Sequence, residues 1–196
     1  MRGHEYARDQ VRTHLQAKVP GRLGALRTAL QVTTPSNPAG YFLADILPTD
    51  PALYPCVVIM STGAPTMRRQ SVQAAGDSAD FIVIYSLRIV VACRTDVAGG
   101  DEAASRDRDR LMLAVREALL APGSFPDDLE LMTQDIAEDT GAAAQDLRGR
   151  PLAAGQITCQ VGVLEHLAAL PATDALEESE IDVVGFSADT TTITPT

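Results

Sequence analysis

Two long runs of alternating apolar residues, linked through an amphipathic helix, constrain this chain more than anything else in it. Across 81–94, Phe81, Val83, Tyr85, Leu87, Ile89, Val91 and Cys93 fall on one side. Ile82, Ile84, Ser86, Arg88, Val90, Ala92 and Arg94 fall on the other. Side chains alternate across a strand with period two, so the first set belongs to a core. The second set is too apolar to face water over its whole length, and a helix or another subunit is expected to cover it. A second such run, 152–164, puts Ile157, Cys159, Val161 and Val163 on one face.

Between these runs lies the segment 101–121. Asp101 is a suitable N-cap, Glu102 sits well against the helix dipole, and Pro122-Gly123 is a stop signal. Leu111, Val115, Ala118 and Leu119 share one stripe and predict the buried side of a helix. The alternating charges from Arg106 to Arg110 read as a solvated face with modest pairing.

Upstream, Tyr6, Val11, Leu15 and Val19, then Leu23, Leu26 and Leu30, predict a helix over 4–31. Pro20-Gly21 is expected to split it into two pieces. Four prolines in 33–53 mark a connecting loop, either at the surface or reaching a neighbour. Residues 54–61 and 129–136 predict two more strands, and 63–80 a loop or extended hairpin arm carrying Arg68-Arg69. Residues 140–149 form an Ala/Gly/Asp-rich loop. The expected architecture is α+β: a mostly antiparallel four-stranded sheet packed against two helices, in one domain over 1–171. Residues 172–196 form an extension with six carboxylates and no basic residue, then a Thr-rich end. This extension is expected to be mobile in a free subunit and to order by adding to a neighbour's sheet edge.

The net charge of -10 is uneven: residues 1–32 carry +4 and the rest -14. That repels nucleic acid over most of the surface and argues against a DNA-binding protein. No apolar run approaches the ~20 residues of a membrane span, and the polar start lacks the apolar centre of a signal peptide. A soluble chain made in a cytoplasm is the expectation. Cys56, Cys93 and Cys159 lie in strand-like runs without CxxC spacing and predict buried reduced thiols. His4 and His14 are too far apart on a helix to share a metal directly, and His166 ends a strand. GxSxG, GxxxxGK[ST] and GxGxxG are all absent. Adjacent acids such as Asp127-Asp128 and Glu177-Glu178 fall in loops. The expectation is a protein that is not an enzyme, with no cofactor, no metal and no catalytic residue.

The order helix, long loop, strand, long strand, helix, strand, strand resembles the tail terminator family of long-tailed bacteriophages, in an actinobacteriophage-like pattern. The resemblance covers about residues 54–166. It is carried by Tyr54-Pro-Cys-Val-Val-Ile, Phe81-Ile-Val-Ile-Tyr-Ser-Leu-Arg-Ile-Val-Val-Ala-Cys-Arg, the run Arg106 to Leu120, and Arg150-Pro-Leu-Ala-Ala-Gly-Gln-Ile-Thr-Cys-Gln-Val-Gly-Val. It rests on topology and spacing, with no single diagnostic motif. It implies a structural virion protein forming a homohexameric ring at the head-proximal end of the tail. Such a ring ends polymerisation of the tube and offers a docking surface to the head–tail connector. Its partners would be other copies of itself, the major tail tube protein and the connector, with DNA passing through the lumen unbound. Two other readings stand beside it: another neck or head-completion protein of the same particle, and a small-molecule-binding or enzymatic α+β domain. The expected interface residues are Arg68, Arg69, Ile82, Ile84, Arg88, Val90 and Arg94.

Overall fold

The computed structural model describes residues 3–69, 78–95, 100–121, 125–141, 144–145 and 151–168. The expected extension 172–196, the Pro122-Gly123 stop and most of the 140–149 loop lie outside the described residues. Two helices, α1 (Gly3–Leu30) and α2 (Gly100–Leu119), pack on one face of a seven-stranded sheet. The strands are β1 (Gly40–Phe42), β2 (Cys56–Ser61), β3 (Thr66–Arg69), β4 (Ser78–Arg94), β5 (Leu129–Asp139), β6 (Ala144–Gln145) and β7 (Pro151–Ala168). The main path runs β1-β2-β4-β7-β5, with β3 beside β4 and β6 beside β7.

The α+β class holds. The four expected strands are present, but the sheet is larger and mixed: β1, β3 and β6 are added, and β1 pairs with β2 in parallel. Very short strands carry too few alternating residues to leave a periodic signal. The centre of the sheet is the antiparallel ladder of β4 on β7, in unbroken register from Ser78↔Ala168 to Arg94↔Leu152. On its other flank β4 is shared. Its second half pairs with β2 and its first half with β3, so the expected hairpin arm does form, in part. β5 changes register on β7 between Met132 and Ala137, a bulge that bends this edge strand.

The core joins α1 and α2 to the predicted inward face of β4. Val83, Tyr85, Leu87, Ile89, Val91 and Cys93 are all buried there, against Val11, Leu15, Val19 and Leu23 of α1 and Leu111, Val115 and Ala118 of α2. The α2 stripe was legible, whereas Asp101 lies inside the helix, which already includes Gly100. α1 does not break at Pro20. It runs on through it, with Val19 and Leu23 fully buried on either side. Proline forfeits one backbone bond and crowds the preceding turn. Packing of both halves on one core outweighs that local preference.

The 33–53 connection also differs from expectation. Phe42, Ala44, Leu47 and Tyr54 turn back onto the far side of the sheet and cover Cys56, Val58, Ala92 and Leu152 in a second small core. Tyr54 donates its hydroxyl to Pro48 O at 2.6 Å, pinning the loop. The cover expected from a helix or another subunit is thus supplied at this end by the chain's own loop.

Candidate subunit interface

Strand register decides which side chains share the sheet face opposite the helices. Arg68 stands beside Ile82, and Ile82 beside Leu164. The next rows are Thr66, Ile84, Gly162 and Glu130, then Ser86, Gln160 and Met132, then Met60, Arg88 and Thr158. The face therefore changes along its length. The end at Ala92 is covered by the 42–54 loop, the middle is polar around the exposed Arg88, and the end at Ile82 stays open among the described residues.

The open end has a definite shape. Leu164 is 41% exposed, and with Ile82 and Gly162 it floors a depression of about 120 Å³ rimmed by Asp127, Asp128 and Glu130. A Cβ at Gly162 would lie 3.1 Å from Ile82 Cγ2 and 3.2 Å from Met132 Cε, so a side chain there would crowd the floor. Asp128 also accepts the Tyr6 hydroxyl at 2.7 Å, which ties the rim to α1. On the opposite flank, β3 presents exposed Arg68 and, on the other face, Met67 at 59% exposure. Apolar centre, acidic rim and basic flank lie within one span of four strands.

The structure brings only part of the predicted set together. Arg68 and Ile82 are neighbours at the open end, and Arg69 pairs with Phe81 through the backbone. Ile84 is buried, Val90 packs half-buried against the second small core of Cys56, Val58, Ala92 and Leu152, and Arg94 is half-buried at the far end. Arg88 is exposed between the two ends. Sequence reasoning missed Leu164 and the acidic rim. The signal was present in the alternation of β7, since Leu164 is out of phase with Val163 and adds an apolar residue to the outer face.

Two buried polar side chains, His14 and Glu165, are engaged with the helices. His14 donates from Nε2 to Ala118 O at 2.8 Å, satisfying a carbonyl in the last turn of α2, and its ring lies 4.4 Å from that of Phe125. Buried Glu165 accepts the Tyr85 hydroxyl at 2.8 Å and the Gly3 amide at 3.4 Å, close to the start of α1. Burial, then the bond to Glu165 and its charge, push the Tyr85 phenol up to about 12. The His4 ring meets Tyr85 edge-on, 4.9 Å between centroids.

Arg108 corrects the solvated-face reading of 106–110. It is buried and donates to Thr140 O, Gly141 O and the Asp109 carboxylate. Arg106, paired with Glu102, does lie at the surface. The three cysteines are free and buried; burial pushes the Cys56 and Cys159 thiols up to about 12 and raises Cys93 likewise.

Among the described residues, no group of three or more His, Cys, Asp or Glu is placed to hold a metal ion. A groove of about 330 Å³ between the 31–34 turn and α2 is lined by Arg106, Asp107 and Arg110. Its charges are already engaged, with Arg110 held by Asp107 and by Thr34. No described helix is long and apolar enough to cross a membrane. No protein-family model matches the chain, and no curated protein matches it in sequence.

Proposed function

We propose that this chain is the repeating subunit of a ring that caps the tail tube of a long-tailed bacteriophage, ends its polymerisation and receives the head connector. The observation that carries the reading is a subunit finished on one face and unfinished on the other. Two helices close one side of the sheet, while the far side keeps an apolar, charge-flanked end around Ile82 and Leu164. Identical subunits that join through two different surfaces form a closed ring when the rotation closes. The element order of the resemblance supports the same reading: α1, a long connection, β2, the arm, β4, α2, β5 and β7. The net charge of -10 suits a lumen through which DNA slides without sticking.

In this reading the protein acts by assembly, at the head-proximal end of the tail, and its partners are its own copies, the tube protein and the connector. Negative-stain imaging of the purified protein, alone and mixed with tail tubes, tests it. Six-fold rings with a DNA-wide hole seated on tube ends are the expected result. Rings that seat only on capsid portals would transfer the protein to the neck or head-completion class. A chain that stays monomeric on tubes and portals alike would remove the proposal.

A further inference from the structure

The outer edges of β3 and β5 have no strand beside them among the described residues. The two edges differ in charge. β5 carries Glu130, Asp135, Glu138 and Asp139 with no basic residue, whereas β3 is Thr66-Met67-Arg68-Arg69. β1 and β6 are three and two uncharged residues. An open edge is a template for another strand unless something blunts it. The edge of β3 has an arginine position on each face: Arg68 pairs with Ile82, and Arg69, paired with Phe81, has the parity of Met67, which is 59% exposed and paired with Val83. This edge therefore disfavours a basic or uncharged strand and suits an acidic one.

The chain contains a segment of matching chemistry. Residues 172–196 carry six carboxylates and no cation, and within them Glu180-Ile181-Asp182-Val183 alternates acid with β-branched residue. With the apolar residues matched to Met67, strand parity would put Ile181 and Val183 on the face of Met67 and Arg69, and Glu180 and Asp182 on the face of Thr66 and Arg68. The acidic edge of β5 would repel the same segment. Ala168, the last residue of β7, is twelve residues before Glu180, so the intervening chain reaches about 40 Å when extended. β7 lies on the opposite flank of β4 from β3, so a copy's own segment would have to cross the sheet to reach its own β3 edge. In the ring reading, a neighbouring copy supplies a second β3 edge.

We infer that the outer edge of β3 is a strand-addition site, and that its occupant is the segment 180–186 of a neighbouring copy. Each subunit would lend its C-terminal segment to the next, a head-to-tail contact of the kind that closes a ring. Main-chain bonds would supply affinity, and Met67 and Arg68 would supply register. The inference rests on the ring reading for the existence of a neighbour, and on the β3 edge for the choice of site.

Cysteine pairing between full-length chains tests it, because Cys56, Cys93 and Cys159 are at most 2% exposed and would stay out of the reaction. One tagged chain carries Met67→Cys, and an untagged chain carries Ile181→Cys, Val183→Cys or, for opposite parity, Asp182→Cys. After mild oxidation with copper–phenanthroline, linked heterodimers are expected for Ile181→Cys or Val183→Cys. The Asp182→Cys yield should be far lower. Adding Arg68→Glu to the tagged chain should cut the yield roughly tenfold, since it sets like charges against each other. No linkage between chains, equal yield for both parities, or linkage found only inside one chain carrying both substitutions would overturn the inference. Sedimentation of the same samples separates the two ideas. Rings without linkage remove the strand-addition site alone, and monomers that also ignore tube ends remove the ring as well.

Discussion

Gly155 shows how one residue sets the distance between layers. It lies on the inner face of β7 opposite Val91, under α2. A Cβ there would stand 2.2 Å from Met112 Sδ, 3.2 Å from Arg108 Cδ and 3.3 Å from Asp139 O. The missing side chain lets Arg108 and Met112 cross the sheet closely, and lets Arg108 reach the carbonyls of Thr140 and Gly141. Gly155→Val is expected to cost about 2–3 kcal/mol through overpacking, read as a lower urea midpoint at unchanged slope. A midpoint equal to wild type would mean that α2 can ride higher without loss.

The buried thiols and phenols give a second residue-scale expectation. Cys56, Cys159, Tyr41 and Tyr85 are all raised to about 12 in the fold, from ordinary values of 9 for the thiols and 10 for the phenols. The folded state therefore holds these protons after the unfolded chain has lost them. Stability from this source is complete below pH 9 and declines as pH rises from 9 through 12. Thermal melting should fall across that window, and a thiol reagent at pH 8 should label the native chain slowly and all three cysteines in urea. Fast labelling of native protein would contradict the burial of these strands.

At the scale of elements, legibility followed the length of the repeating pattern. β4, β7 and α2 each carry enough alternating or helical periods to fix their inward faces, and every core residue expected on α2 is buried. Val115→Asp is accordingly expected to unfold the domain or cost several kcal/mol, since it would strand a charge among Leu111, Ala118 and the sheet. Melting like wild type would show that the stripe is misassigned.

What the sequence did not reveal was decided by contacts distant along the chain. Pro20 is a local stop signal overruled by packing on both sides of it. The 33–53 connection has loop composition, yet its few apolar residues suffice to cover one end of the sheet. Arg108 belongs to an alternating charge run, and only the depth of β7 at Gly155 makes it an inside residue. Because α1 bears the cost of Pro20, Pro20→Ala should stabilise the protein by about 1–3 kcal/mol, visible as a higher Tm. An unchanged Tm would mean that packing around the ring offsets the lost backbone bond.

For the whole molecule, the open end of the outer face is where the proposed assembly would meet the fold. Leu164 is the most direct probe of it. The side chain is 41% exposed, so replacing it removes little buried surface from the single subunit. Asp127, Asp128 and Glu130 surround the site, so an arginine placed there has carboxylates within reach. Leu164→Arg should therefore keep the fold, with Tm within a few degrees of wild type. Contact with a second copy would be another matter: an apolar floor would become a filled, charged one, and a partner seated on it would lose its apolar contact and have to desolvate a guanidinium. Sedimentation and imaging on tube ends should show loss of rings at concentrations where wild type forms them. Should the variant assemble and cap tubes like wild type, the Ile82–Leu164 end would be ordinary exposed surface, and ring contacts would have to lie elsewhere, with the β3 edge the first place to look.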